Sequence, residues 1–236
     1  MRGENNEKEN YCTAYGYYGC NVSRMRFFRN EGNKEGGRLA GGGLNAGDIT
    51  GLEDLVSMRE GLPREVDEML SVGKDVHDKY GEDIGNLGAA TIKEGKGGVL
   101  GFFGDDEIGI NKKFLDSKKM DKAMDESIKD GFHPSRGNKT GLQAVAAHEY
   151  GHKLTEAAGR RHGKSLDAMA DDIVKEARQA TGHRGVVKMA SKISRYATAS
   201  NAEAVAEAFA DVYCNGGRAK RESIAIVNAL DKRFGL

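Results

Sequence analysis

His148-Glu149-Tyr150-Gly151-His152 stands in the middle of a helical pattern that constrains this chain more than any other feature. Thr140 is placed to cap the helix, and Leu142, Val145, Ala146 and onward to Leu154 supply its apolar positions. Residues four apart lie about 6 Å apart along one helix face, so both imidazoles can converge on a single metal ion. Glu149 projects roughly 100° away on the wheel, too far round for a natural third ligand yet close enough to reach a water on the ion. Zinc hydrolysis requires that division: two neutral nitrogens hold the metal, and a carboxylate takes a proton from the water it activates. Ala144, Ala146, Ala147 and Gly151 keep the surroundings of the histidines small. The plain alternative is a pair of solvated histidines on an ordinary helix.

A catalytic zinc needs a third protein ligand and an open position. The longer HExxHxxGxxH pattern is absent, because Ala158 occupies the place of a third histidine. Glu203, Glu207 and Asp211 form an i, i+4, i+8 row on a later helix, among Ala204, Ala206, Ala208 and Ala210. Small side chains let such a helix approach another closely, while Val205, Phe209 and Val212 anchor its other side. A solvated acidic face is the alternative, but such faces usually pair with Lys or Arg at i+4, and this row has none. A divalent cation and two histidines would supply the missing opposite charge.

The pentad, followed later by Tyr196-Ala197-Thr198-Ala199-Ser200-Asn201-Ala202-Glu203-Ala204-Val205-Ala206-Glu207-Ala208-Phe209, resembles the glutamate-type zincins, or gluzincins. The likeness is to the anthrax lethal factor catalytic domain and, more closely, to the metallopeptidase-like domains of phage minor head proteins. It covers residues 63–236. Residue by residue, the resemblance implies one zinc ion held by His148, His152 and Glu203, with Glu149 as general base. It further implies Glu207 as the carboxylate that steadies a histidine ligand, and Tyr196 as the phenol that donates to the developing oxyanion. In such a fold the strand ending at Ile108–Asn111 is expected to be the sheet edge above the active-site helix, where an extended peptide pairs by β-augmentation. The loop from Gly131 to Gly141 is expected at the cleft rim, with His133 in it a loop residue rather than a ligand.

The rest of the chain predicts an α+β, zincin-like architecture: a helix, a small sheet, then a helical C-terminal half. The first helix runs from Pro63 through Val66, Met69, Leu70, Gly73 and Tyr80 to Gly81. Short strands at Leu87–Ile92, Val99–Phe103 and Glu107–Ile110 are spaced as a meander. Asp116–Asp130 reads as a surface helix. Ser165 caps a helix closed by Gly182, a third helix carries Val186, Met189, Ala190, Ile193 and Ala197, Asn201 caps a fourth, and Ile224 to Phe234 forms the last. Residues 1–50 hold ten glycines and few large aliphatics, and are expected to be a poorly ordered segment ahead of a domain spanning 51–236.

Thirty-six basic and thirty-six acidic residues cancel, which disfavours a general electrostatic nucleic-acid binder. No apolar run approaches a membrane span, and the polar opening lacks a signal peptide's apolar region. Together with the resemblance to phage minor head proteins, this implies a setting that is cytoplasmic in a bacterial host, or virion-associated. Cys12, Cys20 and Cys214 are too few and too scattered for a disulfide framework or a cysteine-built zinc site. The leading expectation is a zinc metalloendopeptidase acting on a peptide or protein. Its rivals are a phage head-morphogenesis component with a structural or vestigial zinc, whose partners are capsid or head proteins, and a secreted effector. Neither nucleic acid nor membrane is an expected partner.

Overall fold

The computed structural model describes residues 64–90, 99–104 and 107–236. The expectations for residues 1–50, for Pro63 and for Cys12 and Cys20 lie outside them. Helix α1 (Arg64–Tyr80) buries Val66, Met69, Leu70, Val72, Gly73 and Val76 along one stripe, and Gly81 ends it in the left-handed region at φ 65°. Three strands follow, β1 (Asn86–Ala90), β2 (Gly101–Gly104) and β3 (Glu107–Asn111). The meander expectation is corrected. The order is β1-β3-β2, with β3 central, antiparallel to β2 and parallel to β1. Its central place matches its burial, since Ile108, Gly109, Ile110 and Asn111 are all buried. Gly109 is needed there because the Phe102 ring from β2 lies across it; a Cβ at 109 would sit 2.0 Å from Phe102 Cζ. The edge expected at Ile108–Asn111 is therefore the middle of the sheet, and β2 is the described edge strand that faces the site.

Helix α2 (Ser117–Lys129), capped by Asp116, precedes the central helix α3 (Gly141–Arg161). Thr140 and Gln143 close a reciprocal capping box at its start, and Thr140 Oγ1 also donates to the buried Glu68 at 2.9 Å. Nearly every residue of α3 from Gly141 to Gly159 is buried, because α1, α2, the sheet and the later helices enclose it. Helix α4 (Leu166–Thr181) begins at the Ser165 cap and ends at Gly182, in the left-handed region at φ 73°.

The expected third helix is only partly a helix. α5 stops after one turn (Val186–Ala190), and Tyr196–Thr198 forms a separate 3-10 turn. The apolar spacing still predicts burial, since Met189, Ala190, Ile193 and Ala197 are all in the core. The backbone departs from the helical ladder because the Arg195 and Tyr196 N–H groups donate to the carbonyls of Gly131 and Phe132, at 2.9 and 3.0 Å. That pairing fastens the loop ahead of α3 to the segment carrying Tyr196. Helix α6 (Asn201–Asn215) takes its cap from Ser200, one residue before the expected Asn201. α7 (Arg221–Asp231) closes the fold against α4 and α6.

The described residues are thus mixed α+β, mostly helical, with one small sheet. Among the described residues no helix is long and apolar enough to cross a membrane.

Helices α3 and α6 pack at their small residues. A Cβ on Gly151 would lie 2.7 Å from Ala206 Cα and 3.2 Å from Phe209 Cβ. In an exposed helix Gly→Ala gains about 1 kcal/mol, but forcing backbone apart in a packed core costs about 1–3 kcal/mol. Gly151→Ala is therefore expected to lower the thermal midpoint by a few degrees, at about 2–4 °C per kcal/mol for a chain of this size. A calorimetric scan checks it, and a midpoint above the parent's would mean that α6 can yield without cost.

Candidate metal centre

Close approach of α3 and α6 brings His148, His152 and Glu203 into one buried group whose ligand atoms all lie within 4.8 Å of one another. Both imidazoles address the same carboxylate oxygen. Glu203 Oε2 is 3.1 Å from His148 Nε2 and 3.4 Å from His152 Nε2. Ligands at about 2.0–2.1 Å from a tetrahedral zinc stand about 3.3 Å apart, so these separations are the edges such a site needs. Ser200 Oγ accepts from the Glu203 backbone N–H at 3.1 Å, which puts this carboxylate in the first turn of α6, where the helix dipole favours negative charge.

Glu207, one turn on and 1 % exposed, is the hub behind the group. Its Oε1 accepts from His148 Nδ1 at 2.8 Å and from His133 Nδ1 at 2.9 Å, and its Oε2 accepts from Ser194 Oγ at 2.7 Å. An ionised carboxylate only accepts, so the bond fixes a proton of His148 on Nδ1, and in the neutral ring Nε2 faces Glu203 as a lone pair. A lone pair against a carboxylate is unfavourable unless a cation stands between them. His152 Nδ1, by contrast, is buried without a hydrogen-bond partner among the described residues. Only one of the two histidines is steadied by a carboxylate.

The electrostatics repeat the pattern. Burial disfavours a proton on His148, yet its bonds to Glu203 and Glu207 and the charge of Glu149 outweigh that and raise its pKa well above the usual imidazole value. Burial likewise pushes the two acids upward. The His152 and His148 imidazoles nevertheless hold Glu203 far below the carboxylate range, and His133 and His148 hold Glu207 at about 2. The centre is built to carry positive charge, and in the absence of a metal it takes up a proton instead. These residues fit a divalent cation with nitrogen and oxygen preference.

Around the centre lies a cleft of about 840 Å³, counting its open mouth. Glu149 is in its wall, 6 % exposed, against β2: a Cβ on Gly101 would be 2.7 Å from Glu149 Oε1. Burial raises the Glu149 pKa, the charges of His148 and His152 oppose the rise, and Glu203 adds to it. Tyr196 stacks on His148 with ring centroids 5.8 Å apart and on Phe132 at 5.1 Å, and it too lines the cleft. The loop expected at the rim is there, contributing His133, Pro134 and Ser135.

Two residues stand differently from their sequence reading. Asp211, third in the acidic row, turns away from the centre to accept from Asn215 Nδ2 and the Lys220 N–H, so its work is to hold the end of α6. His133 is outside the ligand group, as expected, but it is more than a loop residue because it shares Glu207 with His148. Loops carry no periodicity to flag such a contact, and only its place just before α3 hinted at it. Arg184, Lys188, Lys192 and Arg195 are exposed, as a solvated basic face should be. Cys214 sits in the cleft wall, its thiol pushed up to about 12 by burial.

Comparison with family models, with curated proteins and with solved structures finds no match.

Proposed function

We propose that this chain is a zinc-dependent peptidase with a zincin-like fold of the gluzincin type, in which His148, His152 and Glu203 hold the metal. The observation that carries the reading is the meeting of both histidine Nε2 atoms at one Glu203 oxygen, at tetrahedral-edge separations, beside an open cleft. A bound zinc would supply Lewis acidity and a water acidified toward neutral pH. Glu149 takes the proton of the attacking water on its carboxylate and passes it to the leaving amine. Tyr196, stacked on a ligand and lining the same cleft, offers its phenol to the carbonyl oxygen as charge develops there. Glu207 holds the His148 ring in register for the metal.

Among the described residues three ligands and an open side favour catalysis over a structural site, which would close with a fourth protein ligand. Peptide as the substrate class is supported by β2, an edge strand among the described residues that lines the cleft. Metal analysis of the purified protein is expected to find one zinc per chain. Digestion of a peptide library should proceed with that metal and stop with a chelator. Stoichiometric zinc with no cleavage of any peptide would sink the proposal and leave a metal-binding scaffold.

A further inference from the structure

His133 has one nitrogen committed and the other not. Nδ1 is bonded to Glu207 Oε1 at 2.9 Å, and this fixes the ring's orientation. Nε2 is in no hydrogen bond with a described residue, and it is not sealed away, because the side chain is 11 % exposed and lines the cleft. The ring stands edge-on to Tyr196, with centroids 5.5 Å apart, and to His148 at 6.3 Å, so it borders the metal centre on the tyrosine's side. The backbone bonds from Arg195 and Tyr196 to Gly131 and Phe132 lock its loop to the tyrosine segment, and Phe132 packs edge-on beneath it at 5.0 Å. A ring held from below, from the side and at one nitrogen is pre-oriented at the other. Satisfying Glu207 alone would require none of the cleft exposure.

We infer that His133 is a substrate-contacting residue whose Nε2 accepts a hydrogen bond from a backbone N–H of a bound peptide, an assignment that rests on the peptidase reading above. With Nδ1 as the donor to Glu207, the neutral ring presents Nε2 as an acceptor, and the complementary group on a peptide is its amide N–H. The contact places one amide of the chain at a fixed distance from the metal, which is how positioning groups turn binding into alignment.

Two substitutions separate this role from support of Glu207. Asn puts an amide nitrogen where Nδ1 stands, keeping the Glu207 bond and deleting Nε2. Gln puts its terminal amide where Nε2 stands and loses the Glu207 bond. The zinc-loaded full chain is titrated by calorimetry with a tripeptide hydroxamate and with acetohydroxamate, which reaches the metal alone. His133→Asn is expected to weaken the tripeptide hydroxamate about tenfold, with acetohydroxamate and zinc affinity within about twofold of the parent. His133→Gln should recover part of the tripeptide affinity while lowering the thermal midpoint. The inference is overturned if His133→Asn binds the tripeptide as the parent does, or if both probes and zinc weaken together. A parent that holds zinc but binds neither hydroxamate refutes the peptidase reading itself, a result distinct from either.

Discussion

Glu149→Gln is expected to keep its zinc and lose hydrolysis by about 10²–10⁴-fold, the usual contribution of a positioned general base. The amide has the carboxylate's shape, so the contact with Gly101 on β2 is preserved. It cannot accept the proton, and with zinc content unchanged the loss must lie in the chemical step rather than in the metal site. The variant should also be more stable than the parent in chelator-stripped protein. Burial raises the Glu149 pKa above 4.5, so its ionised form costs folding energy above the raised pKa and nothing below 4.5, where it is protonated in both states. A neutral amide escapes that cost at neutral pH. Steady-state cleavage, metal analysis and thermal scans on either side of the window test all three parts, and cleavage at the parent's rate would remove Glu149 from the mechanism.

Much of the centre was legible in the sequence because helices carry spacing. A spacing of four positions from His148 to His152, and of four from Glu203 to Glu207, states which side chains share a face whatever the tertiary context. The flanking alanines and Gly151 announced the close packing that Gly151 and Ala206 make. The sheet was harder. Three short strands close in sequence look alike whether they run as a meander or with the first beside the third, because pairing order is decided by which strand can be buried on both sides, and Ile108-Gly109-Ile110 takes that place through tertiary packing. The stretch from Ser191 to Tyr196 misled for a related reason. Its apolar spacing is helical, but two of its backbone donors are claimed by a loop sixty-four residues earlier, at Gly131 and Phe132. Periodicity reports the buried face; it does not report where the hydrogen bonds go. His133 was missed by the same blindness, since its partner is seventy-four positions away.

Removing Glu207 should do damage of a different kind, in both stability and metal binding. Glu207→Ala strands His148 Nδ1, His133 Nδ1 and Ser194 Oγ at once. Breaking a buried charge-bearing network from one side costs about 3–5 kcal/mol. Loss of the carboxylate behind a ligating histidine typically costs about 10–100-fold in metal affinity. Saturating zinc should restore part of the thermal midpoint, since a ligand at about 100 times its Kd adds about 2.7 kcal/mol to the folded state. Glu207→Gln keeps an oxygen for the two imidazoles but gives up the charge, so it should fall between parent and Ala variant. The pH dependence isolates the charge. With Glu207 held at about 2 against an ordinary 4.5, its stabilisation is complete above 4.5 and is lost as the pH falls toward 2. In chelator-stripped protein the gap in thermal midpoint between parent and Glu207→Ala should therefore be widest above pH 4.5 and close through that window. A gap that stays constant across it would mean that Glu207 acts by filling space, and that the orientation of His148 is set by the packing of α3 against α6 alone.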